Sequence, residues 1–168
     1  MDRIKKQYKK LGENTLWMFV GNFATKLLSF FMVPLYTAYL STADYGTADL
    51  MTTTVSLLSP ILTVAASEGV LRFTLDKKYD SRQVLSLSLT ISTMGFIILL
   101  LLSPVLRSYV AFKDYYFLFL LYYLFYNLLW IIQQYSKGVN HVKYYAISGF
   151  LSTVASVVAN ICFLTIFR

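Results

Sequence analysis

Apolar residues along this chain do not alternate with polar ones at a period of two. They gather into five runs, from about Leu16 to Leu40, Leu50 to Leu75, Val84 to Leu106, Tyr115 to Gln134 and Tyr144 to Phe167. About 20 apolar residues wound as a helix cross a hydrocarbon core of about 30 Å. In that medium only helices and closed barrels satisfy their own backbone. The pattern therefore predicts an all-α fold: a polytopic integral membrane helical bundle of five transmembrane helices over residues 16–168, preceded by a basic segment over residues 1–15. The first run is too long for a cleaved signal and lacks a small-residue cleavage site, so it is expected to stay in the mature protein. The segment "IKKQYKKLGENTLW" sets Ile4, Tyr8 and Leu11 at helical spacing among lysines. It reads either as a short amphipathic helix in the cytoplasmic interface or as a flexible basic tail.

Composition agrees with the pattern. Of 168 residues, 57% are hydrophobic, 17% aromatic and only 14% charged, with a mean hydropathy of +0.59. The net charge of +7 is unevenly placed. Arg3, Lys5, Lys6, Lys9 and Lys10 precede the first run, Arg72, Lys77, Lys78 and Arg82 surround the end of the second, and Lys137 and Lys143 separate the fourth from the fifth. The opposite side has Arg107, Lys113 and Arg168. The positive-inside rule puts the N-terminus in the cytoplasm and the end of the fifth span outside. Basic residues that flank apolar helices sit beside anionic headgroups, so the implied partners are membrane lipids and not nucleic acid.

Lys26 stands out. It follows Leu16 by ten residues, which places it roughly 15 Å into the membrane. A lysine there costs on the order of 2.5–3.5 kcal/mol and marks a functional site by default. Asn22 and Ser29 share its face, giving an inward polar stripe. The structural alternative is a lysine that snorkels or pairs silently. Glu68 is the one acid inside a run, a turn before Arg72 in "ASEGVLRF", in the favourable order for an intrahelical charge pair. Lys26 leans towards Glu68's side of the membrane, but Glu68–Arg72 is the expected resting pair. Pro34 and Pro60 are expected to bend the first two helices and serve as hinges. In the fourth run Tyr123, Asn127, Trp130 and Gln134 share a face that can stack on sugar rings and bond hydroxyls; helix packing and interfacial anchoring explain it equally well.

Little else carries chemistry. Cys162 is alone, and His141 reads as a solvated loop residue. Asp76 and Asp80 lie in a basic loop. There is no metal-binding His/Glu motif, phosphate loop, paired intramembrane aspartate or Ser/His arrangement, so neither an enzyme nor a cofactor is expected. Span five sets Ser148, Ser152 and Ser156 at steps of four beside Gly149 and Thr153, small residues that let another helix approach.

Residues 11–50, "LGENTLWMFVGNFATKLLSFFMVPLYTAYLSTADYGTADL", resemble the opening of the bacterial polysaccharide (Wzx-type, O-antigen and capsule) flippases. These belong to the multidrug/oligosaccharidyl-lipid/polysaccharide exporter superfamily. "PLY" at Pro34–Tyr36 and "DYGTADL" from Asp44 are the specific part; "EGVLRF" and "QYSKGVNHVKYYA" extend it. The resemblance implies the incomplete N-terminal lobe of a MATE-like transporter built of two pseudo-symmetric lobes. It implies a multi-pass protein of the bacterial cytoplasmic membrane that moves undecaprenyl-pyrophosphate-linked oligosaccharide outward by alternating access. Glycan assembly and polymerase proteins would be its partners. Lys26 and Arg72 would then be cavity cations, with Asn22, Asn127 and Trp130 also on the substrate. Five helices are fewer than one lobe, so the chain reads as an N-terminal part that does not transport alone. The rival readings are a drug or metabolite exporter of the same superfamily, and a non-transporting scaffold or remnant. Cysteine placed at position 26 should react with a water-soluble maleimide from one side of the membrane; a position sealed from both sides would count against a ligand-facing lysine.

Overall fold

The computed structural model describes residues 2–76, 78–109 and 113–166, with side chains at all of these except 2–7, 10, 109, 159, 160 and 162–166. Lys77, Arg168 and the side chains of Arg3, Ile4, Lys5, Lys6, Lys10 and Cys162 therefore lie outside the description. Every regular element among the described residues is a helix: α1 (Asp2–Tyr39), α2 (Thr42–Leu62), α3 (Ala66–Leu75), α4 (Ser81–Tyr109), a single 3₁₀ turn at Lys113–Tyr115, α5 (Tyr116–Gly138) and α6 (Val142–Ile166). Three stretches, Leu11–Tyr39, Ser81–Ser108 and Lys113–Gly138, are long and apolar enough to cross a membrane, and the bent pair α2 and α3 makes a fourth if it counts as one span. That is fewer than the five expected. The fully described part of α6, Val142–Val158, is apolar but shorter than a span. The basic start is neither a tail nor a separate helix, since α1 runs through it without a break.

The boundaries follow local chemistry. Ser41 and Asp44 stand at the spacing of a capping box, and Asp44 lies in the first turn of α2. Asp80 accepts the Arg82 backbone N–H at 3.0 Å and so caps α4. Between α5 and α6 the chain turns through Asn140 at φ 64°, a conformation that asparagine tolerates better than most residues.

By contacts the chain forms two compact units, Met1–Ser41 with His141–Arg168, and Thr42–Asn140. The first is the pair α1 and α6. Gly21 is its contact point: a Cβ there would lie 2.9 Å from that of Ala146. Met32, Val142 and Ala146 are the buried apolar side chains of this pair among the described residues. Ser148, Ser152 and Ser156 are exposed, so the small-residue stripe of α6 is not what meets α1.

The second unit packs α2 to α5 around Val55, Leu99, Tyr116, Phe119 and Tyr123, with Phe96 stacked on Tyr123 at 6.3 Å. Its main irregularity is a 58° bend between α2 and α3. Pro60 removes the N–H that would reach the Ser56 carbonyl, yet α2 continues two residues beyond it. The bend lies instead at Thr63–Ala65, where the helix ends as a Schellman motif. The Ala65 N–H reaches the Pro60 carbonyl at 2.8 Å and the Val64 N–H reaches that of Ile61 at 3.4 Å. Val64 and Ala65 both take φ 50°. Left-handed backbone costs a non-glycine residue roughly 1–2 kcal/mol, so packing must hold the bend. Gly95 of α4 does part of this. A Cβ at Gly95 would lie 2.6 Å from the Leu62 carbonyl oxygen, so only glycine lets α4 seat against the end of α2. The bend expected at Pro60 thus lies further towards the C-terminus, and α1 stays helical through Pro34.

Gly95→Ala should destabilise the second unit by about 1–3 kcal/mol, the usual cost of overpacking, and lower the detergent-solubilised melting temperature. Gly46→Ala, where a new Cβ meets nothing within 4 Å, should leave it unchanged or slightly raised.

Candidate functional site

The unit of α1 and α6 carries Lys26. Helical residues advance by about 100° each. Gly21, Thr25 and Met32 therefore face α6, Trp17, Val20 and Ala24 fall to one flank, and Asn22, Lys26 and Ser29 fall to the other. The first flank is largely apolar. Trp17, Val20, Gly21 and Ala24 form with Ala146, Ile147 and Phe150 an apolar groove of about 200 Å³, and the Lys143 ammonium lies 5.3 Å above the Trp17 ring. The second flank is polar. The Tyr145 hydroxyl donates to Asn22 Oδ1 at 3.3 Å, and the Ser29 hydroxyl returns to the Thr25 carbonyl at 3.0 Å. Lys26 is exposed, with no hydrogen-bond or ion-pair partner among the described residues. Asn22 is thus spent on the contact with α6, while Lys26 beside it projects from the pair.

Glu68 and Arg72 belong to the other unit, on α3. The intrahelical pair expected between them is not formed. The Glu68 carboxylate turns to α5, where it accepts Trp130 Nε1–H at 3.3 Å and Gln134 Nε2–H at 3.3 and 3.5 Å. Helix length supplies a reason. In a ten-residue helix Glu68 lies in the first turn and Arg72 in the last, so each already complements the backbone dipole at its own end. Arg72 remains exposed.

The sugar-facing stripe expected on α5 divides. Tyr123, Asn127 and Gln134 are 0%, 4% and 4% exposed, because they face the neighbouring helices. The Ser59 hydroxyl donates to Asn127 Oδ1, and Asn127 Nδ2 donates to the Tyr123 carbonyl at 2.9 Å. Asn127 is thereby a cross-link between α2 and α5, out of reach of a ligand. Trp130, 36% exposed, sits at the edge of that face.

Beside Trp130 the structure shows two residues that the sequence did not single out. Tyr126 lies parallel to Trp130, with centroids 6.3 Å apart and planes 3° apart, and Tyr122 lies 6.0 Å beyond Tyr126. Their spacing at i, i+4 and i+8 was readable, but only packing tells which of two adjacent tyrosines is covered. The Lys137 ammonium closes the row, 5.9 Å from the Trp130 ring. Elsewhere His141 is exposed against the Tyr144 ring at 5.7 Å. No cluster of three or more His, Cys, Asp or Glu able to hold a metal occurs among the described residues.

A family model described as polysaccharide biosynthesis protein matches residues 11–168. No curated protein and no solved structure matches the chain. That match spans nearly all of a chain whose helices include three long and apolar enough to cross a bilayer, so this membrane protein belongs to the polysaccharide biosynthesis protein family.

Proposed function

We propose that these helices belong to a flippase that carries undecaprenyl-pyrophosphate-linked oligosaccharide from the inner to the outer leaflet of the bacterial cytoplasmic membrane. The N-terminus is in the cytoplasm, and glycan assembly and polymerase proteins are the partners. The supporting observation is Lys26: an exposed, unpaired cation among the described residues of an apolar span, in a family of polysaccharide biosynthesis proteins. A pyrophosphate drawn from water into a membrane cleft loses hydration worth many kcal/mol. A fixed positive charge in a medium of low dielectric offsets that loss most effectively. Lys26 supplies such a charge, and Arg72, exposed on α3, supplies another.

Alternating access requires an element that can bend, and the bend at Thr63–Ala65 is the natural hinge. Its two left-handed residues hold the strain that a straightened α2–α3 helix would release. Transport rather than catalysis is the activity proposed, because the exposed Lys26 and Arg72 are cations suited to holding an anionic group.

Lys26→Ala at the chromosomal locus should lower surface polysaccharide at least tenfold at unchanged protein level, with lipid-linked oligosaccharide accumulating in the inner leaflet. Lys26→Arg should restore most of it. Surface polysaccharide unaffected by Lys26→Ala would overturn the assignment.

A further inference from the structure

The back of α5 and its flank differ in chemistry. Phe117, Leu118, Leu121, Phe125 and Ile132 are exposed and wholly hydrocarbon, a surface suited to lipid tails. At about 100° per residue, Tyr122, Tyr126, Gln133 and Lys137 fall together on one flank, with Trp130 where that flank meets the buried face. Each of these five side chains ends in a hydrogen-bonding or charged group.

Aromatic residues with polar tips are ordinary where a helix leaves the bilayer, because ring and tip then sit in different media. That account does not fit this row. Tyr126 stands near the middle of α5 (Tyr116–Gly138), about 15 Å from one end and about 18 Å from the other. The hydroxyls of Tyr122 and Tyr126 have no hydrogen-bond partner among the described residues. Tyr122 is exposed and Tyr126 half-buried, and a phenol O–H left without a partner in hydrocarbon costs several kcal/mol, so water or a hydroxylated ligand suits this flank.

We infer that Tyr122, Tyr126 and Trp130 form a track for the sugar rings of the transported lipid, with Glu68 at its cytoplasmic end. The inference rests on the flippase reading above and assigns the glycan a site separate from the pyrophosphate's. The apolar C–H face of a pyranose packs on an aromatic face, while the hydroxyls at its rim bond to phenols, amides and carboxylates. The track offers both components. Tyr126 and Trp130 are parallel, Tyr122 is tilted by 45°, and the row spans about 12 Å along the helix, room for more than one sugar. The Glu68 carboxylate holds Trp130 through its indole N–H, which fixes the ring that begins the row. Ring stacking depends little on which hydroxyl points where, so the track accepts varied neutral pyranoses and serves passage better than tight selection.

The test compares binding of two lipids to the purified chain in nanodiscs: undecaprenyl pyrophosphate, and its glycosylated form extracted from the same cells. Wild type should hold the glycosylated lipid at least tenfold more tightly. Tyr126→Leu combined with Trp130→Leu should abolish that preference while leaving affinity for the sugar-free lipid unchanged. Tyr126→Phe, which keeps the ring, should preserve most of it and controls for folding. Equal binding of the two lipids by wild type, or a preference that survives in the double variant, would overturn the track and leave the flippase reading standing. Failure of wild type to bind either lipid would overturn both.

Discussion

Inside a bilayer no water completes an interrupted hydrogen-bond ladder, and that constraint governs the bend between α2 and α3. Proline at position 60 deprives one carbonyl of its donor, but the chain does not fail there. It closes the helix two residues later with a Schellman pair, in which the Pro60 and Ile61 carbonyls accept from Ala65 and Val64. The Thr63 hydroxyl adds a bond to the Ser59 carbonyl at 2.8 Å. The polar groups released by the break are thereby largely taken up within it. Two left-handed residues are the remaining cost, and the seat of Leu62 against Gly95 holds them in place.

The same medium explains how the helices are joined. Lipid tails are as apolar as leucine, so burial against hydrocarbon does not draw helices together, and close backbone approach and interhelical hydrogen bonds must. Gly21 against Ala146, Gly95 against Leu62 and Gly138 against Thr74 are the approaches. Ser59 to Asn127 and Trp130 and Gln134 to Glu68 are the bonds. Where such a side chain is also buried, as Asn127 and Gln134 are, it is withdrawn from ligands. That is why Asn127 and Gln134 serve the fold, while Lys26 on α1 and Tyr122 on α5 remain exposed.

The lengths and composition of the apolar runs were legible because a 30 Å core sets them almost without reference to packing. All-helical structure, spanning segments and a lysine set within an apolar run follow from that alone. Side-chain partners were not legible. Glu68 and Arg72 stand at ideal spacing for a pair, yet α5 offers Glu68 an indole and an amide that a single helix could not foresee. Tyr122 and Tyr123 are neighbours with similar patterns, and the 100° between them leaves one exposed and makes the other core.

The sequence by itself determined that this chain is helical, lies in a membrane and carries a costly cation within an apolar span, because hydropathy and backbone satisfaction act locally. Only the tertiary structure decided where α2 breaks, which acid meets which donor and which aromatic face stays open. Those outcomes depend on contacts as close as 2.6 Å between residues far apart in the chain, such as Gly95 and Leu62.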